Sequence, residues 1–354
     1  MKKALKGIGC ALLVLVGIFA IALSANWHLT KILFHNLLPE KLKLDRSTDW
    51  AGGTTYADLQ YSDVSESDTL NLYIPDTGAD QKELLPLLIL VHGGGFVTND
   101  AHSRQAQFMY RYFRDQGFAC ASLNYRLAQE AAFPAALEDV KCAVRYLRAN
   151  AEDYGIDPEK FAIWGESAGG YLCTMAAVTN DEEFNSLAYI GEEDTEGSVS
   201  ASVSAVLNFY GAVEMGKQEE EYRLMGVPAW IRDLSMGWVN VNLKGQDEYH
   251  NVEEFWLRKH MSEMTEEEHN AMDPFYYMEK NLNSESDLSA LIWYGGSDIT
   301  VPPTSGEHMA YLLRGKLGSD RVFYEMFPDY MHAADAYFSD DNLGKVKDWL
   351  NEVL

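Results

Sequence analysis

The spacing of hydrophobic and polar residues changes character along the chain. Tyr56–Tyr61 and Thr69–Ile74 alternate polar and apolar side chains, the period expected of half-buried antiparallel strands. From Leu84 onward the pattern becomes short apolar runs: Leu84–Val91, Phe118–Leu123, Phe161–Trp164, Ala205–Tyr210, Leu291–Tyr294 and Val322–Phe327. Such runs predict strands buried on both faces, as in a parallel sheet covered by helices. Between them lie helical candidates at Gln105–Gln116, Ala135–Tyr154, Ala168–Thr179, Ser305–Leu317 and Asn342–Leu354. In the second, Leu137, Val140, Ala143, Val144 and Leu147 recur at helical spacing and give one apolar face. The alternation predicts an α/β architecture, a mostly parallel doubly wound sheet that opens with an antiparallel hairpin.

Two stretches stand outside that rhythm. Residues 211–289 carry Trp230, Trp238, Trp256, several methionines and the acidic clusters Glu219–Glu221 and Glu266–Glu268, between two core strands. They predict a cap or lid inserted over one end of the sheet, its tryptophans turned inward over a substrate or forming its own small core. At the other extreme, Lys2, Lys3 and Lys6 precede an uncharged, largely apolar run from Gly7 to Asn26. A basic stub before such a run reads as a secretory signal or an N-terminal membrane anchor, with export in either case. Trp27–Phe34 then has the interfacial look of an aromatic belt, which leaves cleavage and anchoring both open. The expected organisation is therefore 1–26 signal or anchor, 27–53 linker, and one large domain over 54–354.

Charge narrows the choice of partners. The 354 residues carry 54 acidic against 28 basic side chains, a net −26. That surface repels phosphate backbones, so nucleic acid is excluded as a partner, and membrane contact is expected only through the N-terminal segment. Besides Cys10 in the apolar run, Cys120, Cys142 and Cys173 each sit in an apolar segment. They read as packed free thiols, and no Cys/His spacing suggests a metal site.

The chemistry is concentrated in short motifs. Gly165-Glu166-Ser167-Ala168-Gly169 follows one predicted strand directly and opens a helix. Flanking glycines permit a sharp strand-to-helix turn that lifts the Ser167 hydroxyl clear of the sheet. His92-Gly93-Gly94-Gly95-Phe96 follows another strand, and consecutive glycines leave backbone N–H groups free to converge on one oxyanion. The expected donors are Gly94 and Gly95, joined by Ala168. A phosphate loop is the competing reading of these glycines, but no Lys-Ser/Thr follows them. His92 is read as a structural hydrogen-bonding group.

A serine nucleophile needs a base and a carboxylate to orient it. Asp298 follows the predicted strand Leu291–Tyr294, and His332 follows the next, so both fall at the sheet edge that carries Ser167. Asp329 and Asp335 are rival carboxylates close to His332, read as solvated loop charges, and His308 is read as a helix-surface residue.

Taken together these motifs resemble the α/β-hydrolase superfamily, within it the hormone-sensitive-lipase-like and bacterial feruloyl/acetyl-esterase-like branch. The resemblance runs from about Leu70 to Leu354. It includes Asn124-Tyr125-Arg126-Leu127, Phe133–Val140, Ile156–Lys160, Asp273-Pro274, and Asp298 followed by Val301-Pro302. It implies an α/β-hydrolase fold with an inserted cap, and hydrolysis of carboxylic esters by Ser167, Asp298 and His332 without metal or organic cofactor. Short-acyl esters, including acetylated or feruloylated saccharides, are the substrates it suggests. The chain departs from the family pattern in its long acidic cap and in Tyr330-Met331 before the histidine. An exopeptidase of the prolyl-oligopeptidase type and a non-catalytic binding module on the same fold are the alternatives. The first would need an acidic pair for the substrate amine, and the second usually loses the serine or histidine retained here.

Overall fold

The computed structural model describes residues 52–76, 83–191, 199–228, 248–249 and 251–354. The proposed signal or anchor, most of the linker, Trp230 and Trp238 lie outside them. No helix among the described residues is long and apolar enough to cross a membrane.

Strands β1 (Gly53–Gln60), β2 (Thr69–Pro75), β3 (Leu85–Val91), β4 (Ala119–Leu123), β5 (Ile156–Glu166), β6 (Ala205–Phe209), β7 (Ser289–Gly295) and β8 (Val322–Phe327) form one sheet in the order β1-β2-β4-β3-β5-β6-β7-β8. β1 and β2 pair antiparallel, β2 joins β4 antiparallel, and every pairing from β4 to β8 is parallel. The hairpin and the parallel body thus appear where the sequence rhythm places them. Strands β3, β4 and β6 are almost wholly buried, as continuous apolar runs require. β8 is the exception: it closes the sheet as an edge strand, and Phe323 and Met326 are 43% and 38% exposed. Its apolar run does not mark burial on both faces.

Ten α-helices accompany the described sheet: α1 (Arg104–Phe113), α2 (Ala135–Ala149), α3 (Ala151–Tyr154), α4 (Ala168–Val178), α5 (Gln218–Leu224), α6 (Val252–Leu257), α7 (Glu266–Met272), α8 (Pro274–Asn281), α9 (Thr304–Leu317) and α10 (Asp340–Val353). The expected single helix over 135–154 is two, because Asn150 leaves helical geometry and starts a separate turn that ends at left-handed Gly155. Local chemistry explains the starts of several others. Ser103 caps α1 by accepting from the Ala106 amide, and Thr265 and Glu268 form a reciprocal capping box on α7. Asp273 caps α8, with Pro274 in its first turn. α4 is buried at every position but Ala177, so its side chains are apolar apart from Thr174, whose hydroxyl donates to the Gly170 carbonyl within the helix.

The segment 211–289 is more than a cover. Its last helix, α8, packs against α4 and α9, with Tyr277 and Met278 in the main core. Trp256 on α6 is likewise fully buried in that core. The acidic clusters do not all face water either: Glu221 is only 7% exposed.

Candidate active site

Three chain reversals at the C-terminal ends of β5, β7 and β8 build the site. β5 ends in Glu166, and Ser167 turns the chain into α4 with φ of 52°, left-handed geometry that a non-glycine residue adopts only under strain. The turn is tight because its glycines permit it. A Cβ on Gly165 would stand 2.1 Å from the Gly169 carbonyl oxygen, and one on Gly169 would stand 2.1 Å from that of Val91. The start of α4 is therefore pressed against the ends of both β5 and β3. The Ser167 amide donates to the Phe209 carbonyl at 3.0 Å, and the Ala212 amide donates to the Ser167 carbonyl at 3.3 Å, fixing the serine to the end of β6.

Asp298 lies on the loop after β7. One carboxylate oxygen accepts the Thr300 and Val301 amides at 2.7 and 2.9 Å, leaving the other to face His332. The loop after β8 is bound to this one, since the Ser297 amide donates to the Tyr330 carbonyl and the Gly296 amide to that of Phe327. Asp298 and His332 are thus held as one unit. His332 Nδ1 is 2.7 Å from Asp298 Oδ2, and its Nε2 is 2.9 Å from Ser167 Oγ. Asp298 is fully buried, and the imidazole is nearly so. The three residues singled out from sequence meet in one hydrogen-bonded line. That line can move a proton from the serine hydroxyl to the imidazole while the carboxylate fixes the ring.

The glycine loop after β3 approaches the same point. Gly94 and Gly95 have φ of 122° and 59°, and a Cβ on Gly94 would lie 2.1 Å from the Thr98 carbonyl oxygen. Among the described residues, no backbone or side-chain group takes the Gly94, Gly95 or Ala168 amides. His92 is buried and stacked on Tyr125 with centroids 4.3 Å apart, its Nδ1 2.7 Å from the Gly93 carbonyl oxygen. Burial pushes its pKa down to about 4, so it is a neutral structural group, as the sequence suggests.

Of the rival carboxylates, Asp329 is exposed and Asp335 is turned to a different partner. Asp335 is not a solvated loop charge: it is 8% exposed and pairs with Arg104. Its partner lies 231 residues away in sequence, so no local pattern signals the pair. His308 sits on α9 with its Nδ1 2.8 Å from Glu214 Oε2. Glu214, Glu221 and His308 bring potential cation ligands within 4.8 Å of one another, yet Glu214 is already paired with Lys217 and hydrogen-bonded to His308. The three cysteines of the described residues are buried, and none forms a disulfide.

Sequence reasoning passed over Glu166 and Tyr210. Glu166 is a buried carboxylate that accepts from the Tyr210 hydroxyl at 2.8 Å, and Tyr210 meets the His332 ring edge-on at 4.9 Å between centroids. An acid directly before Ser167, at the end of the buried apolar run Phe161–Gly165, was the available signal.

A family model described as BD-FAE matches residues 70–313. Among curated proteins, the chain is similar to the probable carboxylic ester hydrolase LipM of Mycobacterium tuberculosis, 30% identical over 48% of this chain and 38% of the relative. The chain thus spans well under half the length of that relative. Among solved structures it is similar to a truncated carbohydrate esterase from gut microbiota, with a TM-score of 0.63 and 23% identity over 86% of this chain and 98% of that one. A thermophilic esterase from Thermogutta terrifontis, solved with propionate bound, matches with a TM-score of 0.59 and 19% identity over 88% and 97% of the two chains. These two likenesses bear on the fold alone, which is the α/β-hydrolase fold.

Proposed function

The chain belongs to the BD-FAE family, and from that premise we propose that it is a carboxylic-ester hydrolase acting through Ser167 on short-acyl esters, among them acetylated or feruloylated saccharides. The observation that carries the reading is the line Ser167–His332–Asp298, with contacts of 2.9 and 2.7 Å. Ser167 Oγ attacks the ester carbonyl as its proton passes to His332 Nε2. The carbonyl oxygen gathers negative charge within reach of the Gly94, Gly95 and Ala168 amides. As the tetrahedral intermediate collapses, the C–O bond to the alcohol breaks and His332 returns the proton to the leaving alkoxide. Water, deprotonated by the same imidazole, then attacks the acyl-serine and releases the acid, regenerating the hydroxyl.

The preference for short acyl groups and saccharide alcohols draws on the names of the structural neighbours, a carbohydrate esterase and a propionate-bound esterase. A cavity of about 370 Å³ lies beyond Ala212, the residue bonded to the Ser167 carbonyl, and is lined by Val213, Met215, Met261, Met272 and Asp273. Glu214, Lys217 and His269 complete its lining, so it offers the alcohol or acyl moiety an apolar wall beside a charged edge. Nitrophenyl esters from acetate to palmitate, with acetyl- and feruloyl-xylo-oligosaccharides and aminoacyl nitroanilides alongside, test the assignment. Turnover is expected to be greatest on acetate to butyrate and on the acylated sugars. Cleavage of the anilides alone would make the protein a peptidase.

The export reading rests on Lys2, Lys3, Lys6 and the uncharged run Gly7–Asn26. The full chain is expected in the membrane or extracellular fraction, and a chain beginning at Thr48 is expected to be soluble with full esterase activity. Full-length protein found in the cytosolic fraction would refute export.

A further inference from the structure

Glu166 presents an electrostatic problem that the ground state leaves unsolved. It is the last residue of β5, adjacent to the nucleophile and 3% exposed. Ionised carboxylates buried to that degree are normally paired with a cation, because desolvation otherwise costs several kcal/mol. Among the described residues no lysine or arginine pairs with it, and the one side chain in its surroundings able to take up positive charge is His332. Its other neighbours are neutral or dipolar. The Tyr210 hydroxyl donates to Oε2, and the Gly93 amide faces the carboxylate. The Tyr125 hydroxyl is engaged by the His92 carbonyl, and His92 itself is uncharged. Asp298 also acts on Tyr210, from the far side of the imidazole.

Tyr210 is built to hold this position. Its φ is 42°, left-handed geometry for a residue with a side chain, and its amide is fixed to the Trp293 carbonyl at 2.8 Å. The ring touches His332 on one side and Tyr337 on the other, with centroids 4.9 and 4.7 Å away. One side chain therefore spans from the buried carboxylate to the catalytic imidazole.

We propose that Glu166 and Tyr210 form a positioning pair for the ester chemistry: Glu166 supplies negative charge that is compensated only when His332 becomes imidazolium, and Tyr210 holds carboxylate and ring in register. The inference rests on the reading of Ser167 as nucleophile given above. A general base acts from its unprotonated form, so the attraction appears as the proton leaves Ser167 Oγ for His332 Nε2, and stabilisation gained only there raises kcat without tightening substrate binding. Glu166 takes no proton in the step. Burial raises its carboxyl to about 7, against the Tyr210 hydrogen bond and the Gly93 amide, which favour the ionised form. The contribution is present above that pH and is lost below it.

The test measures kcat and KM for 4-nitrophenyl acetate from pH 5.5 to 9 in wild type, Glu166→Gln, Tyr210→Phe and Ser167→Ala. Glutamine mimics the protonated carboxyl. Wild type should exceed Glu166→Gln in kcat by about tenfold at pH 8.5. The ratio should close toward one at pH 5.5, with KM within about twofold throughout. Tyr210→Phe keeps the ring and the charge but removes the donor that favours ionisation, so its rate loss should set in at higher pH than in wild type. A wild-type to Glu166→Gln ratio that is flat with pH, or a loss carried by KM, overturns the pair's role while leaving the nucleophile intact. If Glu166→Gln does not fold, the Tyr210→Phe profile decides, and superposition on wild type counts against the proposal. Absence of ester turnover in wild type, or its survival in Ser167→Ala, sinks the parent reading and this one with it.

Discussion

At the residue scale, the division of labour among the acids near His332 follows from burial and hydrogen bonding. Asp298 has one oxygen tied to two backbone amides and the other aimed at Nδ1, whereas Asp335 spends its charge on Arg104. Asp298→Asn should therefore leave the fold intact and cost about 10⁴ in kcat, because an amide cannot hold the imidazole in the required tautomer. Asp335→Asn should change kcat less than about threefold and act mainly on thermal stability. Steady-state kinetics beside a melting curve for each variant check both, and a crippled Asp335→Asn would transfer the orienting role. The serine, the histidine and Asp298 were legible because each follows a recognisable strand in the order the chemistry needs. The burial of Asp335 was not, since an arginine distant in sequence supplies its partner. Glu166 was hidden for a related reason: a motif read for its serine and glycines gives no cue that the acid between them lacks a cation.

At the element scale, helix α6 joins the segment between β6 and β7 to the glycine loop after β3. Trp256 lies face to face with Phe96, centroids 4.0 Å apart and planes within 5°, and meets Phe133 and Tyr171 edge-on. The Phe133 amide donates to the Trp256 carbonyl at 3.0 Å, so backbone and ring are both fixed. Sequence offered two uses for this tryptophan, lining a substrate or forming a separate core for the cap. It does neither as drawn, because it is fully buried in the main core behind the loop that carries Gly94 and Gly95. Trp256→Ala should lower stability by about 3 kcal/mol through the cavity it leaves. It should also reduce kcat several-fold on every ester alike, since Phe96 would lose the surface that braces the glycine loop. Chemical denaturation and the acyl-length profile test this together. A changed acyl preference with unaltered stability would return the tryptophan to the substrate pocket.

At the scale of the whole molecule, one sheet edge gathers what the chemistry needs. The ends of β3, β5, β6, β7 and β8 deliver the glycine loop, Ser167, Tyr210, Asp298 and His332, in register because these strands run parallel. This much was legible in the sequence, where unbroken apolar runs mark buried strands and the motifs fall directly after them. The edge position of β8 was not, because Val322–Phe327 has an interior composition and only the sheet order shows that no strand of the described residues pairs with its outer side. The packing of α8 into the main core was not legible either, since its amphipathic pattern is the same whether it covers a site or a sheet. The account stands or falls on Ser167 as the single nucleophile. The most direct measurement is intact-mass and peptide-mapping mass spectrometry after reaction with a fluorophosphonate, run beside ester turnover on wild type and on folded Ser167→Ala. One adduct per chain, on the peptide containing Ser167, with both label and turnover lost in the alanine variant, is the predicted result. An adduct on another residue, or turnover surviving in Ser167→Ala, would contradict it.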